Sequence, residues 1–110
     1  MHPRRGEVWW VSFDLAIGGE IQKTRPAIIV SNNAANAVLN RVTVVPVTSK
    51  ADRVFPGEAV VEINGQPSKA MSDQITTASK IRLRNRLGAL SIADLILVEE
   101  AILFQLGIHR

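Results

Sequence analysis

No cysteine occurs anywhere in the chain, so neither a disulfide nor a thiolate metal site is available. That absence suits a reducing, cytoplasmic setting. Histidine is nearly as scarce: His2 and His109 stand at the two ends, which removes an internal imidazole base and a histidine metal cluster. No apolar run approaches the roughly 18 residues that a membrane span needs, so no membrane partner is expected. The opening MHPRRGEVWW carries charge without the apolar stretch of a secretory signal. A glycine-rich phosphate loop, GxSxG, HExxH and an EF-hand are all missing. No metal or other cofactor is therefore implied.

What is present fits one α+β domain spanning 1–110, since 46% hydrophobic and 21% charged residues are the balance of a globular chain. The net charge of +3 is a mild bias toward anionic partners. EVWWVSF, after Gly6, reads as a first strand and sends Trp9 and Trp10 to opposite faces. One tryptophan is then core, and the other is a surface aromatic. DLAIGGEIQKT reads as a loop, and PAIIVS as a short central strand with Pro26 at its first position. NNAANAVLN suggests a turn or short helix capped by Asn32 or Asn33. RVTVVPVTS reads as a strand in which Pro46 marks an edge or bulge, AVVEIN as another strand, and GQPSK as a turn.

Further on, Lys80, Arg82, Arg84 and Arg86 fall at alternate positions, with Ile81 and Leu83 between the first three, which on a strand lines four cations along one face. Such a ridge is either a solvated face or a track for a phosphate backbone. Ser91 opens a helix with Asp94 as a capping-box-like partner, and Gly107 closes it. The helix is apolar on more than one face, and in so small a domain a second burying surface can be another chain.

The residues left for chemistry near mid-chain are arginine, carboxylates, threonine, serine and glutamine, a set suited to charge stabilisation at a phosphate. RGEVWWVSFD, GGEIQKTRPAIIVSN, VTVVPVTS, SDQI and RLGALS…VEEAILFQLG occur in the sequence order of the MazF/PemK family, which the chain resembles over nearly its whole length. The resemblance implies a small SH3-like (PemK/CcdB-like) antiparallel β-barrel with short helices and a C-terminal helix. It implies a metal-independent endoribonuclease toxin that cuts single-stranded RNA, acts as a homodimer and is silenced by a cognate antitoxin. The family's catalytic arginine falls on Arg25, where Pro26 restricts the backbone on both sides of the peptide bond. Its threonine falls on Thr48, with Ser49 beside it. Glu20 matches the loop glutamate and is the expected acceptor of the 2′-OH proton, with Asp73 the alternative acid. Lys23, Ser49, Asp73, Gln74, Lys80 and Arg82 are expected to contact RNA; Gln74 equally suits a turn cap or a base edge. Two departures, the order of residues after Glu20 and TTASKIRLRN after DQI, keep any relative's cleavage sequence from being transferred. The alternative is a CcdB-like toxin, which shares the architecture and poisons DNA gyrase by protein contact without needing Arg25 or Thr48.

Overall fold

The computed structural model describes residues 2–13 and 23–109, with the side chain of Lys23 outside that set. Seven strands and two α-helices follow in order: β1 (Glu7–Phe13), β2 (Lys23–Ile29), α1 (Asn33–Val38), β3 (Arg41–Thr48), β4 (Glu58–Ile63), β5 (Gln66–Met71), β6 (Thr76–Ser79), β7 (Leu83–Ala89) and α2 (Ile92–Leu106). All strand pairings are antiparallel, in the order β4-β5-β3-β2-β1-β7, with β6 also pairing β3. This is the expected α+β architecture of a curved antiparallel sheet with a C-terminal helix.

The two strand prolines show how the sheet is divided. Pro26 lies inside β2 rather than at its start, because β2 begins at Lys23. The β2–β3 ladder runs only from Ala27↔Pro46 to Ile29↔Val44, so before Ala27 the strand has β1 alone beside it and a proline is tolerated. Pro46 sits in a central strand, not an edge. On one flank of β3, β6 covers Arg41 to Val44 and β5 covers Val47 and Thr48. Pro46 falls in the gap between them, where no neighbour needs its missing N–H.

Two further expectations change. The segment GQPSK is not a turn: Gln66 and Pro67 already belong to β5, which pairs with β4 from Ile63↔Gln66 onward. The turn is the Asn64-Gly65 pair, with φ of 51° and 81°, the positive values of a tight two-residue hairpin. The cationic ridge is also broken. Thr76–Ser79 forms β6, Lys80–Arg82 makes a turn of 3-10 helix, and only Leu83 onward is β7. Ser79 caps that 3-10 turn by accepting from the Ile81 N–H, so the alternation expected through Lys80 and Arg82 is not strand alternation.

Opposite faces of the same strands supply two cores. Val8, Ile28, Val45, Val47, Val61 and Ile63 pack with Val98 and Ala101 of α2. Val11, Ala27, Ile29, Val42, Val44 and Ala78 form the other, flanked by Trp9, Phe13 and Leu83. The helix begins and ends as its sequence indicates, with Ser91 Oγ accepting from the Asp94 N–H at 3.1 Å and Gly107 at φ 70°. The Asp94 carboxylate, expected to complete a capping box, instead reaches β4: its Oδ2 accepts from the Glu62 N–H at 2.9 Å and so ties the helix to that strand. Arg5 and Glu99, 2.5 Å apart, tie it to the N-terminal segment. Its outer side stays apolar and open, with Ile92 81% and Phe104 63% exposed.

Candidate active site where β2 and β3 part

Sheet register brings distant residues into one row. Arg25 pairs with Val11 of β1, and Val11 pairs with Leu83 of β7. On the other side, the last pair of the β2–β3 ladder is Ala27↔Pro46. Two steps beyond that last pair, the same register extended would set Arg25 across from Thr48. Because side chains alternate, Arg25 shares the face of Ala27 and Ile29, and Thr48 shares that of Pro46, Val44 and Val42. Both therefore open onto one face, where β2 and β3 have ceased to pair. Thr48 in turn pairs with Lys69 of β5.

Arg25 is half-buried, and no hydrogen bond or ion pair engages its guanidinium among the described residues. Thr48 Oγ1 accepts from the Lys50 N–H at 3.3 Å, which leaves the hydroxyl proton for another acceptor. Ser49 is exposed in the bend that follows. Arg82 ends the 3-10 turn just before Leu83, and its Nη1 donates to the Ser12 carbonyl at 3.4 Å. Glu20 falls outside the described residues, as does the Lys23 side chain, although the Lys23 backbone pairs with Phe13 in β2.

The remaining expected contacts are more dispersed. Asp73 and Gln74 are exposed in a 3-10 turn, Ser72–Gln74, that carries the chain from β5 to β6 past the uncovered stretch of β3. Gln74 Nε2 lies 3.5 Å from the Met71 sulfur. Lys80 is at the far end of β3, beside Arg41, seven residues from Thr48, or roughly 23 Å of strand. Its Nζ donates to the Asn36 carbonyl at 2.5 Å, one of the last acceptors of α1, so this cation closes a helix end. Trp9 packs against the core on the Arg25 face, whereas Trp10, opposite Pro26, is 36% exposed on the other face. The two tryptophans thus divide between core and surface as their alternation requires.

One titrating group ties β1 to β7. Burial pushes the Glu7 carboxyl up, but N–H donors from Arg4 (2.8 Å), the Trp9 indole (3.0 Å) and Arg86 (3.1 Å) outweigh it and hold it below the ordinary 4.5. A lowered folded-state value adds stability above the unfolded pKa and loses it as pH falls through the folded one. Wild type is therefore expected to exceed Glu7→Gln by about 1 kcal/mol at neutral pH, the half-exposed Arg86 limiting the gain. Urea melts at pH 7 and pH 3 check this: an advantage that fails to shrink on acidification refutes the assignment.

The sequence as a whole matches known proteins closely. Residues 4–106 fit the model of the PemK-like, MazF-like toxins of type II toxin–antitoxin systems. The endoribonuclease MazF9 of Mycobacterium tuberculosis is 37% identical over 114 aligned residues, covering 96% of this chain and 97% of that protein. A mycobacterial endoribonuclease solved in complex with its cognate antitoxin superposes with a TM-score of 0.83 at 26% identity, over 98% of each chain. MazF of Deinococcus radiodurans gives 0.79 at 25% identity, over 97% of this chain and 98% of that one. With its order of motifs, its sheet topology and a family match over almost its entire length, the chain belongs to the PemK-like, MazF-like toxins of type II toxin–antitoxin systems.

Proposed function

We propose that this toxin is an endoribonuclease that cuts single-stranded RNA without a metal, and that Arg25 and Thr48 carry the reaction. The observation behind this assignment is the half-buried Arg25, unpartnered among the described residues, on the strand face toward which the Thr48 side chain also alternates, just past the last β2–β3 pair. A 2′-OH attacks the adjacent phosphorus, a P–O2′ bond forms and the P–O5′ bond breaks. The products are a 2′,3′-cyclic phosphate and, once the departing O5′ has taken a proton from water, a 5′-hydroxyl. Guanidinium stays charged at any working pH and makes forked contacts to phosphate oxygens, so Arg25 stabilises the charge of the pentavalent intermediate. The Thr48 hydroxyl donates to a non-bridging oxygen, with Ser49 beside it. Glu20, on the segment between β1 and β2, takes the 2′-OH proton. Lys23 and Arg82 approach the flanking phosphates, and the exposed Asp73 and Gln74 offer an acceptor and an amide to unstacked bases.

Regulation follows from the same surface. An acidic, disordered antitoxin tail folds onto the cationic face and covers Arg25, competing with RNA. Two copies of the chain pair through apolar surface of which Ile92, Leu97 and Phe104 on α2 are candidates. Among the described residues, no helix is long and apolar enough to cross a membrane, and a cytoplasmic location suits a protein that acts on RNA. A gyrase poison on the same architecture is not favoured, because the matched relatives are endoribonucleases by name.

The test is cleavage of a long single-stranded RNA by purified protein in EDTA, with the fragment ends mapped. Cuts at a short recurrent motif, leaving 5′-hydroxyl and cyclic phosphate ends, are expected. Intact RNA together with inhibition of gyrase would replace this reading by the alternative.

A further inference from the structure

Thr48 has a cross-strand neighbour that no motif indicates, Lys69 of β5. The Lys69 side chain is only 13% exposed and its ammonium is 3.4 Å from Glu58, itself 8% exposed. Lys69 Nζ also donates to the Arg53 carbonyl at 2.9 Å. The other oxygen of Glu58 accepts from the Phe55 N–H at 2.8 Å, and the Glu58 N–H donates to the Phe55 carbonyl at 2.9 Å. Taking a lysine and a glutamate this far out of water is unfavourable unless their remaining hydrogen bonds are satisfied. Here both ions spend those bonds on one object, the backbone of the loop at 49–57. That loop starts at Thr48, where the Lys50 N–H donates to the Thr48 hydroxyl. The segment leaving Thr48 is thus tied back at its middle to Lys69, the strand neighbour of Thr48 itself, and at its far end to Glu58, the ion-pair partner of Lys69. It also displays Val54 and Phe55, 46% and 55% exposed.

We infer that Lys69 and Glu58 are positioning residues: a buried ion-pair clamp that holds the 49–57 loop against β5 and thereby fixes the Thr48 hydroxyl relative to Arg25. This inference rests on the nuclease reading above. Without the clamp the loop pulls on the Thr48 hydroxyl through Lys50, and that hydroxyl no longer meets the phosphate in one orientation. Loss of the clamp lowers the rate of the chemical step rather than the affinity for RNA, since the Lys69 ammonium is engaged by Glu58 and the Arg53 carbonyl, and the Glu58 carboxylate by Lys69 and the Phe55 N–H.

The test compares wild type, Lys69→Met, Lys69→Arg and the double variant Lys69→Met/Glu58→Leu. The double variant guards against a folding failure, because removing both charges together leaves no unpaired buried ion. Backbone hydrogen exchange of the 50–58 segment and single-turnover cleavage of RNA are measured for each. In Lys69→Met and the double variant, exchange in the loop is expected to accelerate at least about tenfold and the single-turnover rate to fall about tenfold, with RNA affinity within about threefold of wild type. Lys69→Arg keeps the ion pair and retains both properties. Unchanged loop exchange, or a loosened loop with a wild-type rate, overturns the inference while leaving the nuclease reading intact. A wild type that does not cut RNA removes the nuclease reading and this inference with it, and the two failures are told apart by that control.

Discussion

Arg25→Ala is expected to cut single-stranded RNA about a hundred- to a thousandfold more slowly than wild type, the usual loss when one preorganised donor at a reacting oxyanion is removed. The fold predicts that this loss arrives without a stability penalty. Arg25 takes part in no ion pair or hydrogen bond among the described residues, so its removal orphans no buried partner. Its strand position stays paired to Val11 through the backbone. Arg25→Lys restores little, because a point charge cannot reproduce the forked contact with two phosphate oxygens. Single-turnover cleavage beside a thermal melt separates the two effects. A variant that melts like wild type and cuts like wild type would take Arg25 out of the mechanism; one that unfolds would make it structural.

How far the sequence reveals this arrangement depends on which signals are local. β1, α1 and α2 announce themselves through alternation, caps and a closing glycine, and each appears where those signals put it. Pairing is not local. Reading Gln66 and Pro67 as part of a turn hid β5, although the Asn64-Gly65 dipeptide is the stronger turn signal and frees Pro67 to sit on an uncovered strand flank. With β5 hidden, Lys69 could not be placed beside Thr48, and the clamp on the 49–57 loop had no visible partner. The cationic ridge failed for the opposite reason. A strict alternation of charge from Lys80 to Arg86 imitates a strand, but Ser79 caps a 3-10 turn and the period breaks. The Arg25–Thr48 relation rests on resemblance; the β2–β3 ladder stops at Ala27↔Pro46, two residues short of both.

The second large effect lies away from this face. Asn36 is fully buried in α1, and every polar atom of its side chain is engaged. Its Nδ2 donates to the Ser31 carbonyl at 2.9 Å and to Asn33 Oδ1 at 3.3 Å, while its Oδ1 accepts from Ser31 Oγ at 2.5 Å. Ser31 Oγ in turn accepts from the Thr43 N–H at 3.0 Å, and Asn33 Oδ1 accepts from the Arg5 N–H at 2.8 Å. One amide therefore holds together the end of β2, α1, the start of β3 and the N-terminal segment. Asn36→Leu keeps the volume but strands the Ser31 carbonyl and hydroxyl without their partner. Each buried polar group left unsatisfied costs about 1–3 kcal/mol, so a loss of roughly 2–4 kcal/mol is expected. In a chain of this length that lowers the melting temperature by roughly 10–20 °C. Because Ser31 and Thr43 sit toward the opposite end of β3 from Thr48, the cleavage rate per folded molecule stays near that of wild type. Urea unfolding with an unchanged slope and an earlier midpoint is the expected record. A midpoint that does not move would mean that water satisfies the node as well as the asparagine does, and that α1 is held by its apolar contacts alone.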